Sequence, residues 1–363
     1  MPQDECSPLR SFWNSRVKMP QSNDQDAVTS TYKGGGYSGA AGSLWSTVKK
    51  ALVILTSLLV VLLALRNTIT YHLQHFWGAS GNFWQLQWDK FRTLFGNDDC
   101  NVLVYGGTLA TYAVYWIAGS VYTFMDVTGI PAFIRQYKVQ PGTNEPVETR
   151  KLIKCILVVQ LNQLVVGVAF SRLVFYLGSL RGYDASPHLP TFHWFLFELA
   201  VCVLVEEIAF YYSHRLFHHK SIYKHFHKIH HEWQSPIAIT ALYAHPLEHI
   251  LSNMAPVIAG PLILGSHPAT FLLWSSLAVF STVTVHSGYH LPFSMSPEFH
   301  DFHHLKFNQC YGVLGLLDHL HGTDDKFRAS RNYNRHMTML SLTPPRQMFP
   351  DEPNGKCVRG KQE

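Results

Sequence analysis

The stretch His214–Trp233, HRLFHHKSIYKHFHKIHHEW, restricts this chain more than any other part of it. It carries His-x3-His (His214, His218) and then His-x2-His-His (His227, His230, His231). On a helix His214 and His218 lie about 40° apart, and His227, His230 and His231 fall within roughly 100° of one face. Each set can therefore aim several imidazoles at one point. The pattern returns as His286 and His290, and then as His300, His303 and His304. With 22 histidines in 363 residues, a chance His-x2-His-His is expected on the order of 0.1 times per chain. Two of them separate this pattern from a merely histidine-rich surface. Imidazole suits iron, zinc, copper and nickel. The ten clustered histidines are too many for one ion and suit two.

Composition decides where such a site sits. The chain is 47% hydrophobic and 15% charged, where about a quarter charged is usual for soluble domains. Its net charge of +5 is spread along the sequence, without the compact basic stripe that nucleic acid requires. Six cysteines lie far apart with no Cys-x2-Cys, so neither a disulfide framework nor a thiolate metal knot is indicated. Cys155 and Cys202 sit in apolar runs and read as core residues.

Residues 1–43 are polar, with Pro8, Pro20 and Gly34-Gly35-Gly36, and read as a disordered tail. No apolar core with a cleavage site follows the start, which argues against a cleaved signal peptide. Residues 44–190 read as transmembrane helices and loops, with spans at Leu44–Leu65, Val102–Phe124 and Leu152–Leu177. The aromatic stretch 66–101 (Trp77, Trp84, Trp88) suits a membrane interface. A fourth span, Thr191–Tyr212, runs directly into His214. Leu247–Leu264 and Ala269–Val285 are two further apolar runs. Pro256, Gly260 and Pro261 interrupt the first, so the pair reads as a re-entrant hairpin or two crossings. The expected fold is an all-α integral membrane protein: four or more transmembrane helices and a cytosolic, histidine-rich helical di-metal domain.

Positive charge in short loops orients the chain. Lys49 and Lys50 place the N-terminus in the cytosol, and the 126–151 loop (Arg135, Lys138, Arg150, Lys151) falls on the same side. The 178–190 loop, with only Arg181, falls opposite. The 213–236 histidines then emerge in the cytosol, and the 247–285 pair returns 286–304 to that face.

Glu206 and Glu207 stand in an otherwise apolar helix, where acids are costly and usually functional. Glu207, Tyr211, His214 and His218 share a face within about 60°. Glu207 is therefore expected to accept the second ring N–H of a ligand histidine, or else to pair with Arg215. Tyr211, Asp301 and Asp318 are further candidates for that outer shell. His219, His225, His319 and His321 fall outside the ligand spacing. His245 and His249, at i,i+4, read as structural or hydrogen-bonded.

His214-x3-His218, His227-x2-His230-His231 and His300-x2-His303-His304 after a hydrophobic pair resemble the fatty acid hydroxylase/sterol desaturase superfamily. The resemblance covers roughly 190–325, which marks 191–325 as the catalytic domain and leaves 326–363 as a C-terminal tail. Ala244-His245-Pro246-Leu247-Glu248, Val285-His286-Ser287-Gly288-Tyr289 and Gly322-Thr323-Asp324 look most like the sterol C4-methyl oxidase branch. Two positions depart from that branch: His290 stands where it carries Asp, as in fatty acid hydroxylases, and Cys310 stands where Asn is frequent. The resemblance implies a di-iron monooxygenase of the endoplasmic reticulum. Its ten ligands would be His214, His218, His227, His230, His231, His286, His290, His300, His303 and His304. It would use O2 and electrons passed from NAD(P)H through cytochrome b5 or its reductase. Zinc can replace iron by mis-metallation, since it outranks ferrous iron in affinity. The reaction expected first is C4-methyl oxidation of a sterol. Its rival is hydroxylation or desaturation of a fatty acyl or sphingoid chain, which ligand spacing does not separate from it. A reading of another class is a non-catalytic histidine-rich metal-binding scaffold in the membrane. Arg359 and Lys361 near the end resemble a retrieval signal for the endoplasmic reticulum.

Overall fold

The computed structural model describes residues 38–180 and 186–351. The polar N-terminal stretch before Ser38, Arg181, and the basic residues Arg359 and Lys361 lie outside them. All the described secondary structure is helical, with one isolated bridge between Lys138 and Tyr289. The elements in chain order are α1 (Ser38–Leu94), α2 (Gly107–Thr128), α3 (Thr149–Gln160), α4 (Val168–Leu180) and α5 (Phe192–Phe217). They continue with α6 (Ala255–Leu264), α7 (Pro268–Val285), α8 (Glu298–Lys306) and α9 (Leu316–His321). Short π-helical turns at Asn101–Gly106, Leu161–Gly167 and His249–Met254 lead into α2, α4 and α6.

Two units make up the chain. The first ends at Phe76 and contains the N-terminal part of α1. There the leucines, isoleucine and valines of 52–65 are exposed along the helix, as a lipid-facing span requires. The second unit runs from Trp77 onward. Five helical stretches among the described residues are long and apolar enough to cross a membrane: Val48–Leu94, Asn101–Thr128, Thr149–Leu180, Pro246–Leu264 and Pro268–Val285. The molecule is an all-helical integral membrane protein. Three expectations change in detail. The interfacial stretch after Leu65 continues α1 unbroken to Leu94. α5, expected as a span, is not among the five, because Glu198, Glu206 and Glu207 interrupt its apolar sequence. Pro261 does not break α6 either; that helix turns at Gly265 (φ 63°) and the chain returns along α7.

In the second unit α5 packs on α6 and α2 packs on α7. The α5–α6 crossing is tight: a Cβ on Gly260 would lie 2.8 Å from the Cys202 Cα. Small residues permit such backbone approach in membrane helices. Between α2, α3 and α7 the buried segment Ser235–Ala241 fills the core beside Tyr115, Cys155, Val159 and Val283. Side chains from the helices bind carbonyls of this segment and of the residues just after it. Tyr115 Oη donates to the Ile239 carbonyl at 2.6 Å, and Asn162 Nδ2 donates to Leu242 and Ala244 at 3.0 and 2.9 Å. This segment follows His231 directly, so packing it fixes where the first histidine group sits. Residues 326–351, expected as a tail, also pack in. Arg335 is buried and donates to the Phe349 carbonyl, and Tyr137 Oη donates to the Leu342 carbonyl at 2.6 Å.

Candidate metal centre

Nine of the ten expected histidines come together in two groups. His214, His218, His227, His231 and His303 form one; His230, His286, His300 and His304 form the other. Within each group the ligand-type atoms lie within 4.8 Å of one another. His214 and His218 come from the end of α5, and His300, His303 and His304 from α8. His286 caps the end of α7. His227–His231 do not lie on a regular α-helix; they follow a turn into a short 3-10 segment, His230–Glu232. A backbone bond from His231 N to the His227 carbonyl at 3.4 Å keeps the helical i,i+4 relation, so both rings still face one point. Each His-His pair divides between the groups. His231 and His303 join the first, while His230 and His304 join the second.

The hydrogen bonds at the back of five of these rings settle their tautomers. His214 Nδ1 lies 2.8 Å from the Tyr311 carbonyl, His303 Nδ1 2.7 Å from that of Gln309, and His304 Nδ1 3.0 Å from that of Trp233. His230 Nδ1 lies 3.2 Å from the Tyr243 carbonyl and His286 Nδ1 2.8 Å from that of Thr282. A carbonyl only accepts, so each Nδ1 carries the proton and each Nε2 presents a bare lone pair. His227 Nδ1 lies 2.8 Å from Glu248 Oε1, a close contact without hydrogen-bond alignment. The Nε2 atoms then converge. His227 and His218 are 2.8 Å apart, His231 and His227 3.0 Å, and His303 and His231 3.2 Å. In the second group His300 and His286 are 2.8 Å apart, and His304 and His300 3.1 Å. Facing lone pairs at these distances repel unless a cation lies among them. Burial, with the neighbouring imidazoles adding to it, holds His218, His231, His300, His303 and His304 well below the ordinary imidazole range. Burial alone takes His230 down to about 4. Neutral, oriented rings are the form that binds metal, and both groups fit divalent cations.

The expected outer residues have other partners. Glu207 touches no histidine. Its carboxylate accepts from the backbone N–H groups of Val313, Leu314 and Leu317 at 2.9, 2.7 and 3.1 Å. Asp318 accepts from Tyr311 N, Gly312 N and Thr323 Oγ1 at 2.8, 2.6 and 2.6 Å. Together these acids clamp the loop whose Tyr311 carbonyl orients His214. Gly312 fits between them, since a Cβ there would lie 2.9 Å from Asp318 Oδ2 and 3.0 Å from Glu207 Oε1. Tyr211 accepts from Arg215 at 2.9 Å, pairs with Thr323 Oγ1 at 3.2 Å and stacks on His321. Asp301 accepts from Gln140 at 3.0 Å, and burial pushes its carboxyl up to about 8. His290 stays outside both groups. Its Nε2 lies 2.9 Å from the Met337 carbonyl and its Nδ1 3.6 Å from Glu298. His245 caps a turn by accepting from Leu247 N, and His249 is buried beside Asn253. Cys310 has φ 61°, a left-handed position that favours Asn; its N–H donates to the Thr323 carbonyl at 2.9 Å.

The fatty acid hydroxylase family profile matches residues 199–323, which span both histidine groups and the clamp. The chain is 48% identical over 314 residues to fatty acid hydroxylase domain-containing protein 2 of Homo sapiens, covering 86% of this chain and 94% of that protein. The chain belongs to the fatty acid hydroxylase family. A methylsterol monooxygenase of Arabidopsis thaliana is 30% identical, over 68% of this chain and 94% of its own length. A very-long-chain aldehyde decarbonylase of Oryza sativa subsp. indica is 31% identical, over 61% of this chain and 88% of its own. No solved structure matches. Membership in this hydroxylase family makes the chain an oxidoreductase of lipids, with histidine groups that can bind metal.

Proposed function

We propose that this protein is a membrane di-iron monooxygenase that oxidises a lipid C–H bond, with C4-methyl oxidation of a sterol as the leading reaction. The observation that carries this reading is the double convergence of imidazole nitrogens, five in one group and four in the other, with bare Nε2 lone pairs on the five rings that a backbone carbonyl orients. Side chains alone do not cleave an unactivated C–H bond; a redox metal with O2 supplies that chemistry. In this reading His214, His218, His227, His231 and His303 hold one iron, and His230, His286, His300 and His304 hold the second. His290 braces the Met337 segment. The backbone carbonyls hold the imidazole protons of His214, His230, His286, His303 and His304 on Nδ1, Glu248 packs against His227, and Glu207 and Asp318 keep the Tyr311 carbonyl in place. Residues 191–325 act as the catalytic domain.

The methylsterol monooxygenase relative supports the sterol reading, and the hydroxylase family match supports the rival, hydroxylation of a fatty acyl or sphingoid chain. With the 26-residue α5 crossing as well, the charge pattern of the loops supports a cytosolic histidine site and cytosolic N- and C-termini. Membership in the superfamily supports the endoplasmic reticulum as location and cytochrome b5 or its reductase as electron donor.

The test is lipid profiling by mass spectrometry in cells lacking the protein, rescued with wild type or His303→Ala, with metal analysis of both purified proteins. 4-Methylsterols that accumulate and are cleared by wild type alone support the sterol reaction. A fall in hydroxylated acyl or sphingoid lipids moves the substrate to the rival. Rescue by His303→Ala equal to wild type, or iron-loaded protein that consumes no O2 when supplied with electrons and lipid, sinks the oxidase and leaves a metal-binding scaffold.

A further inference from the structure

Val313, Leu314, Leu316 and Leu320 are all exposed, Leu320 to 74%. A contiguous exposed apolar patch marks a contact with protein or membrane. The segment that carries these side chains lies against α5. Glu207 accepts from the N–H groups of Val313, Leu314 and Leu317, and Tyr212 Oη lies 3.0 Å from His321 Nε2. On α5 itself Leu204, Ile208, Tyr212 and Leu216 are exposed at a spacing of four, so they form one stripe along the helix. The stripe meets the segment at Tyr212, and the two apolar surfaces join there.

Depth decides the partner. α5 packs on α6, part of the membrane-crossing stretch Pro246–Leu264. The α5 stripe ends beside Arg215, His219 and Lys220, which are exposed; basic side chains at a helix end stand at headgroup level. Glu207 lies eight residues before Arg215, about 12 Å back toward the apolar interior at the helical rise. The segment bound to Glu207 is carried to that depth with it. Its backbone is built for an apolar layer. Cys310 N donates to the Thr323 carbonyl at 2.9 Å, Tyr311 N and Gly312 N donate to Asp318, and Val313 N and Leu314 N donate to Glu207. Five consecutive donors outside regular helix thus have acceptors inside the protein. Such backbone persists at membrane depth only when its polar groups are satisfied there, whereas in water they need no buried acids. His319, the exposed polar residue among the leucines, accepts from Arg328 Nη1 at 3.0 Å.

We propose that residues 313–320 are seated in the acyl layer of the leaflet on the histidine side, as a lipid-facing foot beside α5. The partner is the hydrocarbon of the bilayer. A second copy of the chain would have to cover the α5 stripe as well, and that stripe continues the lipid-facing surface of the bundle. The seat gives the buried acids a role. An acid inside an apolar helix is costly, and Glu207 is kept because it takes the place of water for a loop that water does not reach. Interfacial helices of this kind lie about 5–10 Å below the headgroup boundary, which agrees with the level of Glu207. The inference does not depend on the oxidase reading.

Labelling from within the bilayer tests it. Full-length protein in phosphatidylcholine vesicles is irradiated with a phospholipid that carries a diazirine on its acyl chain, and in a parallel sample with a water-soluble diazirine. Adducts are mapped by mass spectrometry. The lipid probe is expected to label 313–320 and the α5 stripe, and the aqueous probe to label 326–328 but not 313–320. Aqueous labelling of 313–320 without lipid adducts there overturns the seat. Crosslinks between two copies at 313–320 in place of lipid adducts overturn it in favour of a second chain. Leu316→Glu with Leu320→Glu should cut lipid adducts at 313–320 by about tenfold, since carboxylates are disfavoured in the apolar layer, while labelling of Leu204 and Ile208 holds. Leu320→Glu alone gives the same reading if the double variant does not fold. Glu207→Leu leaves three donors without acceptors and should move 313–320 from the lipid probe to the aqueous one, whereas Glu207→Gln keeps an acceptor oxygen and should not. Lipid labelling of 313–320 that is unchanged in the leucine variants and in Glu207→Leu overturns the proposal.

Discussion

Replacing Glu248 by alanine removes the carboxylate whose Oε1 lies 2.8 Å from His227 Nδ1. Both side chains are only 2% exposed, so water does not readily take the carboxylate's place. The His227 ring then loses the carboxylate packed against its Nδ1 edge, which holds its direction, while all five imidazoles of its group remain present. Losing such an outer partner costs about 10–100-fold in metal affinity, or about 1.4–2.7 kcal/mol. Glu248 approaches no ring of the His230, His286, His300 and His304 group, so the loss falls on one of two metal equivalents. Purified protein, loaded with metal and dialysed against a graded chelator series, reports this as metal per chain by mass spectrometry. One equivalent should leave at 10–100-fold lower chelator strength, and the other should hold. Glu248→Gln keeps an acceptor oxygen and should shift that equivalent by less than about tenfold. If both equivalents move together, or neither moves, the role given to the Glu248–His227 contact is refuted.

Gly312→Ala places a methyl 2.9 Å from Asp318 Oδ2 and 3.0 Å from Glu207 Oε1. It should lower thermal stability by about 1–3 kcal/mol, as overpacking does, and loosen the metal bound by His214, which chelator dialysis reads. Gly260→Leu drives a side chain into Cys202, where even a Cβ would lie 2.8 Å from the Cα. Separation of α5 from α6 should cut the yield of folded, monodisperse protein in detergent chromatography, whereas Leu262→Ala on the same helix should not. Because burial takes His230 down to about 4 and lowers the others of its group, protons compete poorly for that site in the folded protein. Its metal affinity should stay flat from pH 8 to about 5.5, where a site of ordinary imidazoles near 6.5 would already weaken. The metal-free fold shows the other side of this linkage. The unfolded chain gains protons below about pH 6.5 and the folded chain does not, so stability falls as pH drops through that range. Metal binding that weakens tenfold between pH 7 and 6 would contradict the burial.

The ligand set was legible because its spacing survives imperfect helices. His227 and His231 keep an i,i+4 relation inside a turn, and so remain on one face. The partners behind the rings were not legible, because five of them are backbone carbonyls, at Tyr311, Gln309, Trp233, Tyr243 and Thr282. Every residue has a carbonyl, and only the fold selects these. Glu207 shows the same limit in reverse. The helical wheel puts it on the histidine face, yet α5 carries it past the end of α9, where three backbone N–H groups offer better partners than one imidazole. His290 had ligand spacing from His286, but the backbone turns through Gly288 (φ 70°) between them. The i,i+4 rule applies only where the helix continues.

The division of the His-His pairs explains why two sites arise from one repeated motif. Adjacent residues on a helical turn point about 100° apart, so a single pair cannot aim both rings at one ion. Ring centroids of His230 and His231 are 5.4 Å apart, and those of His303 and His304 5.8 Å. Each pair therefore straddles the two groups and ties their separation to one backbone step. Two straddling pairs from distant parts of the chain hold both groups in register. A change that shifts either backbone segment must disturb both sites, whereas a change behind a single ring disturbs one. That difference is what makes the Glu248 measurement decisive, since it acts on His227, a ring outside both pairs, and leaves the straddling backbone where it is.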